Sequence, residues 1–436
     1  MSKKRIIGTL VLLVLFSMVL FAAGSKDTQA ASASDEVTLK VFHYMTQITK
    51  TQGLEKIQQK FVERYPNVKF ENIFYNQGTD YFPQLQTALN SGDLPEIIMG
   101  NPSLYPDLIE NGYAMVLNDN QIIKDLNLTK ADLGDCSYKG NVYAFPVDYK
   151  TWGVFYNKRI FNELGIAIPK TQSELIAASK KIKAAGYDVW ADWYKDGASV
   201  DIQTRIVVWT KAAQNGDYDI FQQLMSGKKK LADYPYIKEA LEDWATRLQF
   251  NRNDALSNSQ NQAIELFVSE KAAMFFMGSW SIGDIESAAK GNPNFNYDFF
   301  LCPINENPSD VIMNIQIDDA FMVNPKSPNA DWSQKFMEFW MTEGGITWSE
   351  ITNQPLTSGE TSTALSAVTQ AIAAAKKTGN YVGYGEFTTA YTSEFTAAWR
   401  KGLTQWAENV IKGGSLNSTQ ALAEIQKLFD NIIATN

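Results

Sequence analysis

Histidine occurs once in this chain, at position 43, and cysteine twice, at positions 136 and 302. A single histidine leaves a His-based triad only one possible centre and excludes clustered imidazole ligation of a metal. His43 falls in a run that reads as a strand, so it is expected as a core or edge residue rather than a base. Two isolated cysteines cannot build a zinc cysteine pattern; a disulfide between them is one reading in an oxidising compartment, and two free thiols are the favoured one. Positive charge is also in deficit: 39 Lys+Arg against 48 Asp+Glu give a formal charge of -9. That balance leaves no electrostatic footprint for nucleic acid, which is not an expected partner. The one clustered basic run, Lys228-Lys229-Lys230, reads as a solvated loop. Walker, full GxGxxG and EF-hand patterns are absent, as are repeats at solenoid periods, and no cofactor or metal is implied.

Long apolar runs are missing except at the start. Lys3, Lys4 and Arg5 precede the apolar residues 6–21, a run short for a membrane span, and the small residues Ala22-Ala23-Gly24-Ser25 follow. Residues 1–24 are therefore expected to be a cleavable signal peptide, with an uncleaved anchor as the alternative. Residues 25–36 read as a flexible spacer. The expected location is periplasmic or otherwise extracytoplasmic. Neither cysteine lies near the expected cleavage point, so lipid tethering is not expected.

What is present is a large apolar fraction, 45% of 436 residues, and many aromatics: 11 Trp, 19 Tyr and 24 Phe. That length favours two or more lobes. Residues 37–44 alternate apolar and polar and predict a first strand; Leu54, Ile57, Phe61 and Tyr65 then recur at helical spacing until Pro66. Residues 68–74 and 96–99 predict further strands around a helix carrying Tyr81, Leu85 and Leu89, and Ser103 is expected to cap the turn after the last. Alternating strands and helices of these lengths call for a parallel sheet covered by helices, with ligand contacts at the carboxyl ends of its strands. Later strands are expected at 272–277, 297–304 and 320–323. Thr171 with Glu174 predicts a capping box, and helical stripes fill the chain after residue 330.

The stretch NVYAFPVDYKTWGVFYNK (141–158) holds two short β-type runs around the polar patch Asp148-Tyr149-Lys150-Thr151. Pro146 cannot donate to a ladder, so the first run should lie at a sheet edge or end there. Trp152, Trp190, Trp193, Trp280 and Tyr384 each fall at a strand end or in a polar connection. Flat aromatic walls suit the C–H faces of a sugar ring, and Asp148 and Asn101 could take its hydroxyls. Core packing is the competing reading for each Trp. Asp148, Asp318 and Asp319 could also be read as a glycosidase acid and base.

With SGDLPEII (91–98), the 141–158 stretch and EKAAMFFMGSW (270–280) in this order, the chain resembles the extracellular solute-binding proteins of ABC transporters, the family that contains maltose-binding protein. The resemblance implies an α/β, type II periplasmic-binding-protein fold: two α/β lobes with hinge crossings and a ligand cleft between them. It implies a first lobe of residues 37–148 plus 318–365 and a second of 149–317 plus 366–436. Asp148 falls where the family has an acidic ligand contact, Trp280 at a stacking Trp, and Gly100 and Asn101 at a contact loop; Tyr384 matches a late aromatic roughly. Met99 and Gly100 stand where many relatives have an aromatic, a wall that Tyr44 could supply. Trp152, Trp193 and Asp318 complete the expected site. The implied function is capture of a mono- or oligosaccharide by hinge closure and delivery to the membrane subunits of an ABC permease, by a monomer that is not an enzyme. The alternatives are a binder of polyamine or glycerol phosphate, and an extracytoplasmic glycosidase.

Overall fold

The computed structural model describes residues 36–435 apart from positions 78, 196, 360–365, 380 and 388–390, and apart from the side chains of residues 367 and 384. The expected signal peptide and nearly all of the spacer lie outside the described residues. Strand β1 (Val37–His43) buries Val37, Leu39 and Val41 on one face, as its alternation requires. Helix α1 (Ile48–Arg64), β2 (Val68–Phe74), α2 (Tyr81–Ser91) and β3 (Ile97–Met99) follow. β1 lies between β2 and β3 and runs parallel to both, with Val37 opposite Val68 and Val41 opposite Ile97.

Two later strands complete this five-stranded sheet. Ala320–Val323 runs antiparallel beside β3, and Ala144–Pro146 takes the outer edge, where proline's missing N–H costs no ladder bond. The reversal places Asp318 and Asp319, which precede Ala320–Val323, at the end where β1, β3 and Ala144–Pro146 deliver Tyr44, Asn101 and Asp148.

A second sheet orders Tyr297–Phe300, Trp152–Asn157, Ala272–Gly278 and Asp188–Trp190. Ala272–Gly278 is buried at every position, so its sequence is continuously apolar rather than alternating. It runs antiparallel to Trp152–Asn157 with Gly278 opposite Trp152, and parallel to Asp188–Trp190. This arrangement brings Trp152, Trp193 and Trp280 to one end of the sheet.

Between the sheets the chain passes through paired segments. Tyr149–Lys150 pairs with Met313–Ile317, Gln316 opposite Lys150 and Ile317 opposite Tyr149. Asp148 bridges to Leu356, and the Tyr149 amide donates to the Pro355 carbonyl at 2.9 Å. The crossings thus lie side by side. Cys136 and Cys302 are unpaired, and no described helix is long and apolar enough to cross a membrane.

Two local expectations change, and one helix start is found where no expectation had been set. Asn101, not Ser103, caps the turn Pro102–Leu104, accepting from the Ser103 amide at 3.0 Å and the Ser103 hydroxyl at 2.8 Å. Asparagine is the better cap because its carbonyl reaches two residues on. The capping box at Thr171 is half formed: Thr171 accepts from the Glu174 amide at 3.3 Å, but the Glu174 carboxylate takes the Lys170 amide at 2.6 Å instead of returning to Thr171. The first helix begins at Ile48, ahead of the first residue of its apolar stripe at Leu54, and in its opening turn Thr49 donates to a carboxylate outside the helix, that of Asp284.

Candidate functional site

A cleft of about 680 Å³ opens where the strand ends of the two sheets meet. From the first sheet come Tyr44, Lys50, Met99, Asn101, Asp318 and Asp319; from the second and its helices come Trp152, Trp193, Arg205, Trp209 and Trp280. Tyr44 is braced edge-on against Tyr81 with ring centroids 4.9 Å apart. Trp152 and Trp280 meet edge to face at 4.0 Å, a consequence of the Gly278–Trp152 register. Both indoles are 7% exposed, so each is largely packed and offers only part of a ring to the cleft. Trp152 also borders a second, smaller cavity with Phe276 and Arg247, and therefore faces that cavity as well as the cleft.

Trp193 is presented by a loop tied from behind. Asp192 accepts from Tyr194 Oη at 2.5 Å, from Arg247 Nη1 at 3.1 Å and from Asn251 Nδ2 at 3.1 Å. The Arg247 guanidinium is itself buried over the rings of Trp190, Trp244 and Phe276 at 5.0, 5.4 and 4.8 Å. A buried arginine without such partners would be costly, so this network fixes the loop. The Arg205 guanidinium lies over the Trp209 ring at 5.4 Å and is paired with Asp201 at 2.7 Å, which holds it beside that wall.

At the base of the cleft lies a buried charge cluster. Lys50 Nζ is 2.6 Å from Asp318 Oδ2 and 2.6 Å from Asp319 Oδ2, and Lys150 Nζ reaches Asp318 Oδ1 at 3.1 Å. Lys150 also lies over the Trp280 ring at 5.6 Å, joining the crossing to the second sheet's wall. Burial alone would lower the Lys50 pKa, but Asp318, Asp319 and Asp148 outweigh it and hold the ammonium protonated above the ordinary lysine range. Burial would raise Asp318, and Lys50 with Lys150 reverse this and hold it low. Asp319 ends above its ordinary value, burial being the larger effect against the pull of Lys50. Carboxylate oxygens of Asp148, Asp318 and Asp319 come within 4.8 Å of one another, and the ammonium of Lys50 supplies the positive charge that such a gathering requires.

Asp148 and Gly100 are corrections. Asp148 is fully buried and does not line the cleft. One carboxylate oxygen accepts from Trp348 Nε1 at 2.7 Å and the other from the Asp319 amide at 3.0 Å, so its acceptors bind the crossings together. Burial, and Asp319 beside it, push its carboxyl well above the usual range. Gly100 lies at φ +144, and a Cβ there would stand 2.4 Å from the Tyr105 ring; its amide extends the sheet by donating to the Ala320 carbonyl at 2.8 Å. It too is absent from the lining. Tyr44, Asn101, Trp152, Trp193, Trp280 and Asp318 do line it. The side chain of Tyr384 lies outside the described residues.

Sequence reading missed Lys50, Lys150, Arg205, Trp209 and Asp135 at the cleft. Lys150 stands two positions from Asp148 in the stretch already singled out. The others sit within helices whose periodicity shows which face is apolar but not which polar residue meets another lobe.

Comparison places this architecture among known proteins. The Multiple sugar-binding protein of Streptococcus mutans is 25% identical over 347 residues, 76% of this chain and 77% of that protein. The Melibiose/raffinose/stachyose-binding protein of Bacillus subtilis is 24% identical over 295 residues, 65% of each chain. Among solved structures, the raffinose complex of the solute-binding protein RafE, from Streptococcus pneumoniae, superposes with a TM-score of 0.71 at 18% identity, covering 91% of this chain and 100% of that one. At that identity the likeness speaks to the fold. The family model described as Bacterial extracellular solute-binding protein matches residues 46–346, well over half of the chain. The chain belongs to the bacterial extracellular solute-binding protein family.

Proposed function

We propose that this protein captures a carbohydrate in the cleft and delivers it to the membrane subunits of an ABC importer. The observation that carries the reading is the cleft's composition: Tyr44, Trp152, Trp193, Trp209 and Trp280 flank a base of hydrogen-bonding groups whose charges are mutually paired. A sugar offers apolar C–H faces to aromatic rings and hydroxyl edges to amides and carboxylates, and it brings no charge to unbalance the cluster. Sugar-binding relatives that share the family and fold support the same reading.

Residues 37–148 plus 318–365 form the first lobe in this reading and residues 149–317 plus 366–436 the second. Closure about the crossings brings the Tyr44 wall and the Trp280 wall onto opposite faces of the ligand. The ligand drives closure only through its stronger binding to the closed form. The protein acts outside the cytoplasm, exported by residues 1–24, as a monomer that binds without catalysis. Against the glycosidase reading stand the burial of Asp148 and the pairing of Asp318 and Asp319 with the Lys50 ammonium.

A thermal-shift screen over mono- and oligosaccharides tests the proposal, since a ligand at 100 times its Kd stabilises the folded form by about 2.7 kcal/mol. Trp280→Ala is expected to weaken the selected sugar roughly 10-fold by calorimetry, the value of about 1.4 kcal/mol of lost stacking. A panel that leaves the melting temperature unmoved, or unchanged affinity in the variant, defeats it.

A further inference from the structure

Helix α1 starts without a cap of its own. Gln47, at the capping position, makes no side-chain cap bond, and the first turn contains no acidic residue. Helices open with amide N–H groups that lack intrahelical partners, and burying them unpaired is costly. Here the acceptor comes from 235 residues away: Asp284 Oδ1 accepts from the Thr49 amide at 3.0 Å and from the Thr49 hydroxyl at 2.9 Å. Both residues are buried, Thr49 at 6% and Asp284 at 7% exposure.

The two partners sit on helices that follow strands of different sheets. α1 follows β1 and the loop holding Tyr44, Met45, Thr46 and Gln47, all four of which line the cleft. Asp284 sits in the first turn of helix Ile282–Ala289, which follows Ala272–Gly278 of the second sheet and the turn Ser279–Ser281 that presents Trp280. Gly283 permits the approach, since a Cβ there would stand 2.7 Å from Thr49 Oγ1 and 3.0 Å from the Thr352 carbonyl. The segment carrying one aromatic wall is thereby tied to the segment carrying the opposite wall.

We propose that Asp284 is a positioning residue for ligand capture, completing the cap of α1 only when the lobes are closed and so coupling the Tyr44–Gln47 loop to the Trp280 turn. The proposal rests on the reading of the cleft as a ligand site bounded by two moving lobes. Asp284 has no place in the cleft lining, so its effect on the ligand is indirect. Opening would part the carboxylate from Thr49 and return both to water. The bond then adds to the closed form alone, and a ligand that closes the lobes gains it. Because the contribution belongs to the closed state, its loss should appear in the dissociation rate rather than the association rate.

The test compares wild type, Asp284→Ala, Asp284→Asn and Thr49→Ala. Asparagine caps helices as well as aspartate, whereas alanine does not. Asp284→Ala is expected to weaken the sugar selected by the thermal screen about 5-fold, the size of a typical lost cap, through faster dissociation in stopped-flow fluorescence. Thr49→Ala should weaken it by less, and Asp284→Asn should restore wild-type dissociation. The proposal has the ligand-free protein exchange between open and closed forms with the bond favouring the closed one, so small-angle scattering supplies a readout that needs no sugar: Asp284→Ala should raise the ligand-free radius of gyration and Asp284→Asn should not. The proposal is overturned if Asp284→Ala lowers the ligand-free melting temperature while dissociation and radius stay at wild type, because the cap then persists in both states. Equal behaviour of the Ala and Asn variants also overturns it. If no sugar in the panel binds wild type, the carbohydrate reading fails on its own, and the scattering comparison still decides the role of Asp284.

Discussion

His43 is 3% exposed and its Nδ1 accepts from the Met45 amide at 3.4 Å, so the folded protein holds it neutral. Burial lowers its pKa from 6.5 to about 4, whereas burial raises Asp135 from 3.8 to about 7, with the Ile317 amide and Lys150 acting against that rise. The two act on stability with opposite signs. Between those His43 values the unfolded chain binds a proton that the folded chain does not, so stability falls as the pH falls. Between the Asp135 values the folded chain binds the extra proton, so stability rises as the pH falls. Each shift is worth on the order of 3 kcal/mol at full titration. His43→Gln is expected to become more stable from about pH 7 to about pH 5 relative to wild type, and Asp135→Asn less stable, by urea midpoints. Parallel pH profiles for all three proteins would refute both assignments. Asp148 permits a separate measurement. Both its oxygens accept protein N–H groups, and asparagine offers only one acceptor, so Asp148→Asn must leave a donor unpaired. The expected loss is about 1–3 kcal/mol of folding stability with little change in ligand affinity. A large affinity loss with unchanged stability would restore Asp148 as a ligand contact. From sequence alone the residue type and its place at the crossing were readable; the direction of its side chain was not, because Trp348 lies 200 positions away.

At the scale of elements, the crossings combine paired strands with the cluster of Lys50, Asp318, Asp319 and Lys150. Lys50 comes from α1, Lys150 from Tyr149–Lys150, and the two aspartates from the entry to Ala320–Val323. Removing one partner of a buried ion pair strands the other charge. Lys50→Met is therefore expected to cost about 3–5 kcal/mol by chemical denaturation. Adding Asp319→Asn should recover part of that loss, since Asp318 keeps Lys150. Additive losses in the double variant would contradict the cluster. The elements themselves were largely legible, since alternation marked β1 and Pro146 marked a sheet edge. Their termini were less so. Asn101 competes with Ser103 for the same turn, and the opening turn of α1 is capped by a carboxylate from the helix that follows the other sheet.

For the molecule as a whole, the four charges at the base of the cleft, Lys50, Lys150, Asp318 and Asp319, are paired with one another before any ligand arrives. A neutral sugar would then bind with nearly the same affinity at about 50 mM and about 500 mM salt, because little unscreened charge takes part. A steep salt dependence in calorimetry would point to a charged ligand instead, against the proposed function. Sequence by itself determined the alternation of strands and helices, the apolar faces, the family and the ends of strands where a ligand site belongs. These follow from periodicity and short motifs, which act over a few residues. Tertiary structure alone decided that Asp148 braces the crossings while Lys50 and Lys150 line the base, and that Asp284 caps α1. Those contacts join residues 168 to 269 positions apart. The chain places such residues together only by passing from one sheet to the other and back, and no local spacing encodes which side chains then meet.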